Sequence, residues 1–150
     1  MKPAYRVGRP SAHLSWEEWR CKDGTWVPLE LQDNAIATSE EFEIIRARCG
    51  NLPIGIESAY RTAAYNLALP RPGAQNSQHL YARALDLHPP AQMPLGVFVD
   101  LIRTRVAEPG CPIRGVGHYT TSAHIDLRPT GRLAVWRSFV PAHDASGGPA

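Results

Sequence analysis

The chain is 150 residues long, with 43% hydrophobic and 20% charged residues and a net charge of +2. That length is one domain's worth and buries a core without a disulfide or metal staple, so a metal bound here serves function rather than folding. The weak positive charge, with no Lys/Arg cluster and no alternation of basic and aromatic residues, excludes a nucleic-acid partner, and no stretch approaches the roughly 20 apolar residues of a membrane span. The three cysteines, Cys21, Cys49 and Cys111, are odd in number and far apart. They read as buried free thiols rather than a disulfide framework or a metal knuckle.

Residues 1–10 and 141–150 are small, polar and rich in Pro and Gly, which predicts poorly ordered ends around a single domain over 11–140. The N-terminus has no apolar core of a signal peptide, so the expectation is a product made in the cytoplasm. Trp16, Trp19 and Trp26 crowd the first part of the domain, where Ser15 is placed to cap a helical turn under a packing lid. The pair Thr38-x-x-Glu41 is a capping-box pattern, with Phe42, Ile45 and Cys49 on one face before Gly50, so a helix is expected to start at Thr38. A short strand over 52–58 follows, then a helix over 62–69 and a turn-rich loop over 70–76.

The stretch 84–88 alternates and stops at Pro89-Pro90, which predicts a strand. Apolar residues Phe98, Leu101, Ile102 and Val106 repeat at helical spacing across 95–107. Two more strands are expected over 113–119 and 123–128, joined by the turn Thr120-Thr121-Ser122. Helices and strands mix without a strict βαβ order, which predicts an α+β fold with a small, mainly antiparallel sheet and flanking helices.

Catalytic zinc takes three ligands of the His or carboxylate type and keeps one position open. His79 and Asp86 stand seven apart around the start of the predicted strand, and alternation puts His124, Asp126 and Arg128 on one face of another. A polar row on an apolar strand is either a metal or substrate face or a solvent-facing edge, and spacing alone does not choose between them.

Four stretches taken in order are more specific. Ser77-x-His79-x4-Ala84-x-Asp86 and Ala123-His124-Ile125-Asp126, with Ser58-Ala59-Tyr60-Arg61 and His13-Leu14-Ser15-Trp16-Glu17-Glu18-Trp19 upstream, resemble the D-Ala-D-Ala carboxypeptidase and L-Ala-D-Glu endopeptidase family of zinc peptidases. Gly115, Gly117 and Trp136 also stand where that family has similar residues, so the resemblance covers about 13 to 136. It implies a hedgehog/DD-peptidase-like fold, one zinc ion on His79, Asp86 and His124, and hydrolysis of an amide bond in peptidoglycan. It further implies that Arg61 binds a substrate carboxylate or the developing oxyanion, with Ser77 and Tyr60 beside it.

Two departures matter. Ala82 replaces the family's usual Gly, which is harmless unless the backbone there takes a positive φ. Thr121 stands where many members carry the Glu or Asp that serves as general base three residues before the last ligand. Asp126 is the first alternative for that base, or else a carboxylate that orients a ligand; His118 and His88 are the others. The expected partner is a peptidoglycan peptide, approached as a monomer at the cell wall after release or delivery. A wall-binding or phage structural module that keeps the fold and metal without efficient hydrolysis is the competing expectation.

Overall fold

The computed structural model describes residues 1–138. The expected C-terminal tail over 141–150 lies outside the described residues. Helices α1 (Trp16–Trp19), α2 (Gln32–Arg48), α3 (Ala63–Ala68) and α4 (Leu95–Val106) interleave with strands β1 (Gly55–Ser58), β2 (Ala84–His88), β3 (Gly115–His118), β4 (Ala123–Asp126) and β5 (Ala134–Arg137). The strands form one sheet in the order β1-β2-β4-β3-β5. Only the edge pair β3–β5 is parallel, so the α+β, mainly antiparallel expectation holds.

The period-2 pattern divides the sheet into two unlike faces. Leu85 is paired with Ile125 and Ile125 with Val116, and these side chains share a buried cluster with Phe42 and Ile45 of α2 and Phe98 and Ile102 of α4. In the alternate register Asp86 is paired with His124, and His124 with Gly117. Helices therefore cover the apolar face, while the polar row lies on the other.

The capping box at Ser15 forms: Ser15 Oγ accepts from the Glu18 N–H and the Glu18 carboxylate returns to the Ser15 N–H. The start of α2 differs from expectation. The helix begins at Gln32, behind a 3-10 turn over Leu29–Leu31, and Thr38 sits in its interior. There the Thr38 hydroxyl donates to the Asn34 carbonyl at 2.8 Å, and the Ser39 hydroxyl donates to the Ala35 carbonyl at 2.7 Å. Hydroxyls that bond back four residues stay inside a helix. Ser39 also accepts from Trp19 Nε1 at 2.8 Å, which joins α2 to the tryptophan lid.

The first ten residues carry no helix or strand, yet the Tyr5 ring stacks on Trp16 at 4.0 Å and its hydroxyl donates to the Val27 carbonyl at 2.7 Å. Strand β5 was not anticipated; it pairs only with β3, and its residues alternate between half-buried and exposed. All three cysteines are free and buried. Among the described residues no helix is long and apolar enough to cross a membrane.

Candidate metal centre

Three side chains from three segments converge on the polar face of the sheet. His79 lies in the 3-10 turn Gln78–Tyr81, Asp86 is central in β2 and His124 is central in β4. All three are buried, and one ligand atom from each lies within 4.8 Å of the others.

The turn that carries His79 is built by its neighbours. Ser77 Oγ accepts from the His79 N–H at 3.3 Å, and the turn closes on Ala82 in the left-handed region with φ of +52°. A residue with a Cβ pays about 1–2 kcal/mol for that conformation, which explains why glycine suits the position. His79 Nδ1–H donates to the Ala59 carbonyl at 2.6 Å. This leaves Nε2 with its lone pair; it is buried, has no hydrogen-bond partner and stands 3.2 Å from Asp86 Oδ2. Buried polar atoms are rarely left so, and a bound cation would satisfy this one. Burial pushes the His79 imidazole's pKa down and so favours the neutral, ligating form.

His124 is held from both ends. Nε2 lies 2.7 Å from Asp126 Oδ2, and Nδ1 lies 2.9 Å from Asp86 Oδ1. Burial opposes charge on this ring, but the bonds to Asp126 and Asp86 prevail and its pKa is pushed up to about 9. With two carboxylates facing one ring, a positive charge is required between Nδ1 and Asp86, and a metal ion supplies it as well as a proton does. Although burial acts to raise its pKa, the Asp86 carboxyl is held well below the usual carboxylate range, chiefly by His79 and His124. Two imidazole nitrogens and one carboxylate, each oriented by a further group, are the donor set of a catalytic-type zinc site.

Arg61 is buried beside this set. Its Nε donates to Ser58 Oγ at 3.0 Å, Nη1 to Asn66 Oδ1 at 3.3 Å and Nη2 to Asp86 Oδ2 at 3.4 Å. A cleft of about 210 Å³ runs along β1 past Glu57, Ser58, Tyr60, Arg61 and Tyr65. Tyr60 thus lines the cleft, whereas Ser77 is buried and engaged with the His79 backbone, so it holds the turn and does not face substrate.

The sequence-expected bases separate. Asp126 is turned from the ligand atoms and saturated with donors: Oδ1 accepts from the Arg128 N–H at 3.1 Å and Nε at 2.8 Å, and Oδ2 accepts from His124 and from Arg128 Nη2 at 2.7 Å. Burial alone would raise its carboxyl, but Arg128 and His124 hold it well below the usual range. Those bonds engage both of its oxygens. His118 is paired with Ala123, out of register with His124, and faces α4 in a cavity lined by Val99 and Arg103. His88 shares the face of Asp86. Its Nδ1–H donates to the Thr121 carbonyl at 3.1 Å and its Nε2 lies 3.9 Å from Glu57 Oε2. The ring thus occupies space beside position 121, where an acid was expected.

Gly115, Gly117 and Trp136, matched by the resemblance but given no role there, also shape the site. A Cβ on Gly115 would overlap the Asp126 carboxylate, and one on Gly117 would come within 2.8 Å of the Trp136 ring. Trp136 packs 5.1 Å from the His124 ring, with Nε1 donating to the Tyr119 hydroxyl at 2.9 Å. The signal was present as two glycines at alternate positions of one strand, which marks close approach from a single face.

A sequence-family model described as Peptidase M15 matches residues 12–126. This span includes all three residues of the cluster. No curated protein matches the chain.

Proposed function

The chain belongs to the peptidase M15 family, and from that premise we propose that it is a zinc peptidase that hydrolyses an amide bond in peptidoglycan stem peptides, of the D-Ala-D-Ala carboxypeptidase or L-Ala-D-Glu endopeptidase type. The observation that carries the reading is the buried, unpartnered His79 Nε2 directed at Asp86 and His124. Zinc held by His79 Nε2, the Asp86 carboxylate and His124 Nδ1 would supply an activated water and an electrophile for the scissile carbonyl. Zinc is favoured over harder ions because two of the three donors are imidazoles.

The chain's own residues supply the rest. Arg61, its guanidinium fixed by Ser58 and Asn66 beside Asp86, binds a substrate carboxylate or the carbonyl oxygen as charge builds there. His88 takes the place of the missing acid: its Nδ1–H is committed to the Thr121 carbonyl, which leaves Nε2, 3.9 Å from Glu57 Oε2, to take up a proton. Asp126 and Ala59 hold the two ligand histidines in orientation.

The test is digestion of purified peptidoglycan by the zinc-loaded protein, with mass spectrometry of released fragments. New amino termini or released D-Ala, lost in His88→Ala while zinc content is kept, support the proposal. Unchanged peptidoglycan with zinc bound supports the second reading, a wall-binding module, which the hydroxyl at Thr121 in place of an acid favours.

A further inference from the structure

A second polar cluster lies at one end of the sheet. Arg83 directly precedes β2, Arg114 directly precedes β3 and Arg128 follows β4 by two residues. Their side chains, with Asn34 of α2 and Thr130, line a cavity of about 480 Å³ whose walls contain no Asp or Glu. That volume is within the range of small-molecule pockets.

The charge in this cavity is not balanced from within the fold. Arg128 spends its Nε and Nη2 on Asp126. Arg114 Nη1 donates to the Cys111 and Ile113 carbonyls at 2.7 and 2.8 Å, which fixes the guanidinium without neutralising it. Arg83 stacks over the Tyr81 ring at 4.6 Å, and its Nε is buried with no hydrogen-bond partner. Among the described residues neither Arg83 nor Arg114 forms an ion pair. Three guanidinium groups thus line one cavity whose walls hold no acid, and cationic N–H groups left unmatched carry a cost in free energy.

We propose that this cavity binds a multivalent oxyanion, a phosphate or a polycarboxylate, through Arg83 and Arg114. Guanidinium forks match the paired oxygens of such groups, and two fixed forks favour dianions over monoanions such as chloride. The site is distinct from the metal centre and joined to it by the chain Arg128–Asp126–His124.

The experiment is calorimetric titration of inorganic phosphate, and separately of succinate, into the protein as purified with its metal, at constant ionic strength in chloride. Saturable binding of at least one of them, weakened tenfold or more in both Arg83→Gln and Arg114→Gln, is expected; phosphate alone or succinate alone identifies the source of the oxyanion. Lack of saturation by either up to about 10 mM overturns the proposal. So does binding undiminished in the two variants, because it then occurs elsewhere, such as at the metal. The outcome does not depend on peptidase activity, so this site stands or fails separately from the proposed function.

Discussion

His124 and Asp126, two residues apart on β4, meet through a 2.7 Å bond from the ring Nε2 to a carboxylate that accepts three further hydrogen bonds from Arg128. Residues at i and i+2 share a strand face, so the contact follows from the backbone, and it turns Nδ1 toward Asp86.

This relationship predicts the behaviour of Asp126→Asn. Removing the charge that orients a metal-ligating histidine lowers metal affinity by about 10- to 100-fold. Turnover at saturating zinc should fall by only a few-fold. Metal titration and peptidoglycan digestion at high zinc separate the two quantities, and loss of turnover with affinity intact would assign Asp126 as the base.

Gly115→Ala should act through the same carboxylate. The new methyl group overlaps Asp126, and forcing extra volume into a closed site costs about 1–3 kcal/mol. A lower melting temperature together with weaker zinc binding is the expected pair of results; neither is expected for Gly131→Ala, where the added Cβ meets nothing within 4 Å.

Much of this could be read from the sequence because it depends on local chemistry. Ser15 caps α1 as its place in the sequence suggests, and alternation placed β2, β4 and the polar row. The cluster of His79, Asp86 and His124 was legible through the resemblance, not from spacing. What escaped depends on tertiary partners. Thr38 looks like a cap until the upstream residues continue the helix, and β5 exists only because β3 offers an edge. The choice among Asp126, His118 and His88 was not legible, because neither strand reveals that Arg128 takes up Asp126, or that His88 comes beside Thr121 across the sheet.

Arg61→Lys retains the charge but not the fork that holds Ser58, Asn66 and Asp86 together. Loss of one preorganised oxyanion-binding group lowers kcat by about 10²–10³. The expected result is a drop of that order in peptidoglycan cleavage at unchanged zinc stoichiometry.

Glu43 ties the segment ahead of α1 to α2, accepting from Ser11 Oγ at 2.6 Å and from the His13 N–H at 2.7 Å. Partial burial acts to raise its pKa, but these donors outweigh it and the net shift is downward. A depressed folded pKa gives stability that is present above the ordinary carboxylate value near 4.3 and is lost as pH falls through the folded value. The difference in unfolding free energy between the wild type and Glu43→Gln should therefore be about 1 kcal/mol at pH 6 and shrink toward zero in acid. Denaturant melts across pH 2–6 check it, and a difference that grows in acid would be the wrong sign.

The most direct test of the metal centre is the zinc content of the purified protein, measured by mass spectrometry beside His79→Ala. About one equivalent in the wild type and almost none in the folded variant is the predicted result. Less than half an equivalent in a folded wild type, or an equal amount in both proteins, would contradict the site formed by His79, Asp86 and His124.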